Sequence, residues 1–167
     1  MALCGVLVAS SVVVTAQPAG AVSSGWKTVY SDLFVCLKGT TAITRRIPGT
    51  LDGNHATADA NLFGYALDRS CTRAATGYGR VRVEAERYYE NDDTSWWSTC
   101  RDSGWKYAAF GWRDGPFPGP YGPSVLLDYG GAVCGASYYR AEAFFEYLKD
   151  GAWTVAGSVR SPSIWVD

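Results

Sequence analysis

The sequence is poor in features on which catalytic and nucleic-acid-binding proteins depend. It contains one histidine and carries a formal net charge of −1 at pH 7. A Ser–His or Cys–His nucleophile would therefore have to use His55, which lies in the turn-like stretch LDGNH, and no G-x-S-x-G motif is present. Because nucleic acids and anionic membranes bind concentrated basic faces, a near-neutral chain favours neither partner.

Metal-ligating patterns are also missing from the sequence. No two cysteines have C-x-x-C spacing, and a single histidine cannot complete a zinc site of familiar spacing. The acidic turn Asn91-Asp92-Asp93 supplies too few oxygens for calcium, which takes about 6–8 of them. We therefore expect no metal and no cofactor.

Long apolar runs are confined to the N-terminus. Residues 2–16 carry no charge, and Ala19-Gly20-Ala21 has the small-x-small form that signal peptidase accepts. Such a segment is typical of a secretory signal and is too short for a stable membrane span. The sequence thus predicts a signal peptide over residues 1–21 and a secreted, extracellular single domain over residues 22–167, free of the membrane. No Lys or Arg precedes the apolar run, so whether Met1 is the true start stays open.

Four cysteines remain in the predicted mature chain: Cys36, Cys71, Cys100 and Cys134. An even number in an exported chain predicts two disulfides, with three possible connectivities. Pairing of sequence neighbours would close loops with separations of 35 and 34 residues. Each loop would stabilise the fold by roughly 3.5–4 kcal/mol if the effect is entropic. The other two connectivities stay open.

Alternation of apolar and charged residues is the strongest structural signal. In residues 80–86 (RVRVEAE) every even position is charged and every odd position is apolar, as in a half-buried strand. Asp150-Gly151 separates the runs 137–149 and 152–159 and predicts a two-residue hairpin turn. That turn would place Leu148 opposite Trp153 and Glu146 opposite Val155. Further runs with strand character are 26–37, 61–67, 95–101, 107–112 and 125–129.

Short strands, regular turn residues and two disulfides together predict the fold class. We expect an all-β or β-dominated fold, a small antiparallel sandwich or barrel. Two echoes fit a weak internal duplication of residues 24–100 and 103–160: SGWK occurs at 24 and at 103, and AERYYE at 85 is matched by AEAFFE at 141. Shared strand chemistry is the simpler account of the echoes, and we favour it over duplication.

Aromatic residues are abundant, with seven Trp, eleven Tyr and six Phe. Exposed rings on a sheet suit a sugar- or protein-binding surface because a rigid ring buries much area at little entropic cost. The alternative is that the rings fill the core of a chain with few Leu and Ile. We predict a non-catalytic binding module for an extracellular protein or carbohydrate, with the candidate ligand-binding residues Trp96, Trp97, Trp105, Trp112, Phe117 and Tyr121.

The stretch RDGPFPGPYGPSV, residues 113–125, is rich in proline and glycine. Proline lacks the N–H that a central strand needs, so the stretch predicts a stiff connection between strands. It would also recognise a ligand if Phe117 and Tyr121 pointed away from the core, near exposed Trp side chains.

A four-residue stretch suggests an alternative function. Cys71-Thr72-Arg73-Ala74 looks like the reactive site of small secreted serine-protease inhibitors. The resemblance implies that Arg73 would enter the acidic pocket of a trypsin-like protease, with Thr72 before it and Ala74 after the scissile bond. A disulfide at Cys71 would order such a loop before binding.

A small secreted hydrolase is the third possibility. Glu84, Glu86 and Glu90, or Glu142 and Glu146, could supply the acid and nucleophile of a glycosidase at a separation of about 5–9 Å. Alternation, however, places arginines on the same face of this strand, and mixed charge is the usual pattern of a solvated strand face. We therefore expect binding rather than catalysis.

Overall fold

The computed structural model describes residues 21–45, 53–65, 70–130 and 134–167. Residues 1–20 of the predicted signal peptide lie outside this part of the chain. The described residues form strands and no helix. Within the same ranges there is accordingly no helix long and apolar enough to cross a membrane. The strands are β1 (Val22–Ser23), β2 (Lys27–Ser31), β3 (Val35–Ile43), β4 (His55–Tyr65), β5 (Cys71–Ala74), β6 (Gly77–Glu90), β7 (Ser95–Asp102), β8 (Lys106–Arg113), β9 (Gly119–Tyr121), β10 (Ser124–Asp128), β11 (Ser137–Lys149), β12 (Ala152–Arg160) and β13 (Ile164–Val166).

The strands form two antiparallel sheets, which confirms the predicted fold class. In sheet A the order is β1-β3-β4-β10, with β2 also paired to β3 and β5 also paired to β4. In sheet B the order is β12-β11-β6-β8-β9, with β13 also paired to β11 and β7 also paired to β6. One apolar core lies between the sheets, so the fold is a sandwich.

Period-two alternation explains which side chains enter this core. In β4 the even residues from Ala56 to Leu62 are buried, and the odd residues face outward. In β6 the apolar residues Val81, Val83 and Ala85 are buried, whereas the charged residues between them face away from sheet A. Small residues permit close packing, since a Cβ at Gly39 of sheet A would overlap the Phe145 ring of sheet B.

The predicted hairpin at Asp150-Gly151 is confirmed. Both residues have positive φ, 50° and 79°, as the favoured two-residue turn requires. Leu148 pairs with Trp153, and Glu146 pairs with Val155. Farther from the turn, β12 has one extra residue opposite the step between Phe145 and Glu146 of β11, and this residue forms a bulge.

The strand predicted over residues 26–37 is instead two strands, β2 and β3, joined by a turn at Asp32. The Asp32 carboxylate accepts hydrogen bonds from the backbone N–H groups of Phe34 at 2.8 Å and Val35 at 2.9 Å. An aspartate that bonds to the following backbone stabilises a turn within an otherwise strand-like sequence.

The disulfides join sequence neighbours: Cys36 with Cys71, and Cys100 with Cys134. The first links β3 to β5 within sheet A, and the second links β7 to the segment before β11 in sheet B. Each sheet therefore carries its own covalent link.

The Pro- and Gly-rich stretch leads from one sheet to the other. After β8 the chain turns, and β9 pairs back along β8 with Pro120 opposite Trp112. The chain then enters sheet A as β10, beside β4. Pro120 is accommodated because β9 lies at the edge of sheet B, where a missing N–H disrupts no ladder.

The two SGWK segments share one local conformation. Gly25 and Gly104 have φ of 65° and 63°. Ser24 Oγ accepts the N–H of Thr41, and Ser103 Oγ accepts the N–H of Val83, each at 3.0 Å. In both places the segment joins two successive strands that pair with one neighbour, β1 and β2 along β3 and β7 and β8 along β6. In sheet A the two joined strands, β1 and β2, come before their partner β3 in the sequence. In sheet B the two joined strands, β7 and β8, come after their partner β6.

Candidate binding surfaces

None of the seven tryptophans is buried, and all seven lie in the described residues. The core contains Phe, Tyr, Val, Leu, Ile and Ala side chains instead. For Trp, the alternative in which the rings fill the core is therefore wrong. The rings divide between two outward-facing surfaces and the ends of the strands.

The first surface is the outer face of sheet B, where aromatic rings alternate with ion pairs. Trp97 lies against Tyr88, with ring centroids 5.3 Å apart, and under the guanidinium of Arg140 at 4.2 Å. At the other end of the face, Trp105 and Trp153 both lie 4.6 Å from the Arg80 guanidinium carbon. The two rings thus enclose this cation from two sides.

The carboxylates of this face are paired with arginines. Arg140 Nε donates to Glu86 at 2.6 Å, and Arg160 Nε donates to Glu142 at 2.9 Å. The remaining ion pairs are Arg80–Glu146, Arg82–Glu84 and Arg82–Asp102. Charge on this face is therefore neutralised within the protein, and the rings are held in place by these pairs.

The proposed hydrolase carboxylates belong to this network. Glu84 and Glu142 lie directly opposite each other on β6 and β11. Each is bonded to an arginine and to a hydroxyl, Glu84 to Thr99 at 2.5 Å and Glu142 to Ser158 at 2.9 Å. Glu90 is exposed at the end of β6. The carboxylates therefore accept hydrogen bonds within ion pairs, and this arrangement does not support a glycosidase acid and nucleophile at these residues.

His55 begins β4 beside Thr44. Its backbone N–H donates to Thr44 Oγ1 at 3.1 Å, while its ring Nδ1 is buried without a hydrogen-bond partner. Among the described residues, no serine or cysteine side chain bonds to its ring. The geometry thus lacks the nucleophile–base contact that a catalytic histidine requires.

The second surface is a groove on the outer face of sheet A, here called the sheet A groove, with a volume of about 290 Å³. Its floor is β4 at Asp59–Asn61, and Trp26 stands at one side. The opposite side is the Pro- and Gly-rich stretch, which contributes Arg113, Pro120, Tyr121, Gly122, Pro123 and Ser124.

The backbone around the groove is held firmly. The N–H of Ala60 donates to the carbonyl of Pro123 at 3.0 Å, which attaches the Pro- and Gly-rich stretch to β4. A Cβ at Gly122 would overlap the carbonyl oxygen of Ala60, so the close approach depends on glycine. Trp26 follows Gly25, and Trp105 follows the equivalent Gly104 in sheet B.

The polar groups of the groove differ from those of sheet B because no described residue engages them. Within the described part of the chain, no hydrogen bond or ion pair engages the side chains of Asp59, Asn61, Arg113 or Ser124. Arg113 has only a distant contact with the Tyr121 ring, at 5.9 Å. The groove therefore combines two exposed rings with a carboxylate, an amide, a guanidinium and a hydroxyl that are open to a ligand.

The structure does not bring the six predicted ligand-binding residues into one site. Trp97 in β7 and Trp105 between β7 and β8 lie towards opposite ends of the outer face of sheet B. Trp96 points to the other face and stacks on Tyr89 at 5.6 Å. Phe117 and Tyr121 lie in the Pro- and Gly-rich stretch, and Trp112 lies in β8 immediately before it. All three side chains are exposed, and of these Tyr121 lines the groove.

Sequence reasoning missed most of the groove. Trp26, Asp59, Asn61 and Arg113 were not singled out. Two signals pointed to them: the alternation in residues 56–62 (ATADANL), which turns Asp59 and Asn61 outward, and the SGWK echo, which places Trp26 and Trp105 in equivalent positions.

The predicted inhibitor site Thr72-Arg73-Ala74 lies in strand β5. Arg73 pairs with Gly64, and Ala74 pairs with Phe63 of β4. Thr72 and Arg73 are exposed, yet the backbone is part of sheet A rather than a projecting loop. This geometry lends the inhibitor alternative no support.

No group of three or more His, Cys, Asp or Glu side chains in the described ranges is arranged to hold a metal ion. Comparison of the chain with protein-family models, with curated proteins and with solved structures finds no match. The two outward-facing surfaces are therefore the features that bear on function.

Proposed function

We propose that this chain is a secreted, non-catalytic module that binds an extracellular carbohydrate through exposed Trp and Tyr side chains. The observation that carries the proposal is the absence of Trp from the core: every one of the seven indole rings retains solvent contact. Large exposed rings cost solubility unless they serve an interaction, and flat rings match the C–H faces of sugar rings.

Secretion is supported by two disulfides, which persist in oxidising compartments. The apolar N-terminus with its small-residue end fits an export signal. Export from a bacterial host followed by N-terminal sequencing should give a chain that begins at Val22, and retention of the full chain in the cytoplasm would contradict secretion.

The binding activity can be tested with the purified, disulfide-bonded protein. Sedimentation with insoluble cellulose, chitin and xylan measures saturable retention, and native gels that contain soluble glucan or mannan measure retardation. We expect saturable binding to at least one of these polysaccharides. Absence of binding to all of them would overturn carbohydrate recognition.

Catalysis is tested in the same samples. Release of reducing ends from a bound polysaccharide would contradict a non-catalytic role, and we expect none above the protein-free rate. If hydrolysis did occur, Glu142→Gln and Glu84→Gln would identify whether the paired carboxylates of sheet B are responsible.

A further inference from the structure

The two outward-facing surfaces of the sandwich differ in the state of their polar groups. On sheet B, the carboxylates are bonded to arginines of the same face. In the sheet A groove, the side chains of Asp59, Asn61, Arg113 and Ser124 are not engaged by any described residue. Asp59 and Asn61 are half-buried, whereas Arg113 and Ser124 are exposed. A half-buried polar group without a partner loses part of its solvation and gains no hydrogen bond in exchange, so Asp59 and Asn61 are typical of a site completed by a ligand.

We propose that the sheet A groove binds one end or one unit of a neutral oligosaccharide, with a pyranose ring stacked on Trp26 and Tyr121. The inference rests on the proposed function and assigns it to particular residues. It also assigns the aromatic face of sheet B a structural role.

The ring contact comes from two exposed aromatic side chains on opposite sides of the groove. Trp26 is 51% exposed and Tyr121 is 38% exposed. Both rings line the same groove. An apolar ring face beside polar groups is the combination that a pyranose requires, because its C–H face is apolar and its rim is made of hydroxyls.

The polar contacts come from strand β4 and the Pro- and Gly-rich stretch. Asp59 offers two acceptor oxygens and no donor, which suits a pair of neighbouring hydroxyl groups. Arg113 offers only donors, whereas Asn61 and Ser124 both donate and accept. Sugar hydroxyls also donate and accept, so each of these groups finds a complement on the same ligand.

Charge and volume restrict the ligand further. One carboxylate and one guanidinium give the lining a formal charge of zero, which favours a neutral sugar. Lys38 lies opposite Asn61 on β3, but its ammonium is 4.9 Å from the Phe63 ring centroid. The volume of about 290 Å³ is near the lower end of ligand pockets, which span about 300–1,000 Å³, and suits a small unit rather than a long chain.

The groove is organised before any ligand arrives. Its floor is a central strand of sheet A, and its far side is anchored by the Ala60–Pro123 hydrogen bond. Pro120 and Pro123 restrict the backbone of that side further. A fixed lining reduces the entropy lost on binding, which matters for a site of this size.

The test measures calorimetric binding of cellohexaose, xylohexaose, mannohexaose, chitohexaose and, as an acidic comparison, hexagalacturonate. Two groove variants, Asp59→Asn and Trp26→Ala, are compared with Trp105→Ala, which removes the ring at the equivalent position of the other SGWK segment. Asp59→Asn keeps the shape of a side chain that no described residue engages, so it tests the groove even if Trp26→Ala does not fold.

We expect binding of a neutral hexasaccharide, weakened about 10- to 100-fold by Asp59→Asn because a charged hydrogen-bond acceptor is lost. Trp26→Ala should weaken it similarly, and Trp105→Ala should change it by less than about twofold. Unchanged binding in both groove variants with loss in Trp105→Ala would overturn the groove but leave carbohydrate binding intact. Binding of hexagalacturonate alone would overturn the neutral ligand, and absence of all binding would overturn the groove and the proposed function together.

Discussion

The guanidinium carbon of Arg80 lies 4.6 Å from the ring centroid of Trp153 on the outer face of sheet B. The same cation donates to Glu146 through Nε at 2.6 Å. Desolvation lowers the pKa of Arg80, but the hydrogen bond and charge of Glu146, with a smaller contribution from Tyr107, outweigh it and raise the pKa above its ordinary value. The Trp153 ring therefore packs on a fixed, fully charged group and contributes to the stability of the sheet.

Loss of this ring should destabilise the fold. We expect Trp153→Ala to lower the free energy of unfolding by about 1–2 kcal/mol, since the cation–π contact and the contact with Tyr107 are both lost. Urea unfolding followed by circular dichroism measures the change. Trp112→Ala is the control, because Trp112 is 52% exposed and has no ring or guanidinium contact among the described residues. An equal loss in both variants would contradict a specific role for the Arg80–Trp153 pair.

The turn at Asp32 makes stability depend on pH. Backbone N–H groups of Phe34 and Val35, followed by Lys149 and Tyr30, hold the pKa of this carboxyl well below its usual range. A folded-state pKa below the unfolded value of about 3.9 gives stability that is present above that pH and lost as the pH falls further.

Asp32→Ala should therefore lower the free energy of unfolding by about 1–3 kcal/mol at pH 7, with the difference from the unmodified protein shrinking below about pH 4. Thermal unfolding across about pH 2–7, which extends to both sides of the unfolded carboxyl pKa of about 3.9, measures this. Asp114→Ala is the control, because Asp114 is exposed and no described residue bonds to its side chain. A difference that persists undiminished at the acid end would show that the charge of Asp32 is unimportant.

The sequence was sufficient to predict those parts of the fold that depend on residues adjacent in the chain. Asp150 and Gly151 specify a turn by their tolerance of positive φ, and the turn then fixes the pairing of Leu148 with Trp153. Alternation in β6 likewise determines which residues enter the core. The break between β2 and β3 was missed because Leu33 and Phe34 have strand-like composition, although both are more than 70% exposed at 86% and 77%.

The sheet A groove could not be predicted from local sequence patterns because the residues that line it come from distant parts of the chain. Trp26, Asp59 and Tyr121 meet only after β1 and β2 pair along one edge of β3, β4 pairs along the other, and the Pro- and Gly-rich stretch crosses to β4. Alternation indicates that Asp59 faces outward, but it does not indicate which side chains stand beside it. The predicted ligand-binding residues were chosen by ring type alone, and ring type does not distinguish a ring packed on arginines from one beside unpaired polar groups.

Contact between the two sheets should be sensitive to a single added methyl group. A Cβ at Gly39 would overlap the Phe145 ring, which is fully buried in the core. We expect Gly39→Ala to lower the free energy of unfolding by about 1–3 kcal/mol through overpacking. Gly119→Ala, where a Cβ meets no atom within 4 Å, should change it by less than about 0.5 kcal/mol. If Gly39→Ala left the free energy of unfolding unchanged, the sheets would separate more readily than their packing indicates.

The two disulfides should contribute unequally although their loops have nearly the same length, 35 and 34 residues. Chain entropy alone gives each about 3.5–4 kcal/mol. Cys36 is fully buried in sheet A, whereas Cys100 and Cys134 are half-buried. Replacing Cys36 and Cys71 together by Ala therefore adds the loss of a buried sulfur to the entropic effect, by about 1 kcal/mol. Urea unfolding of this double variant and of the variant with Ala at both 100 and 134 measures the difference, and a larger loss in the second would show that burial of Cys36 is not the deciding factor.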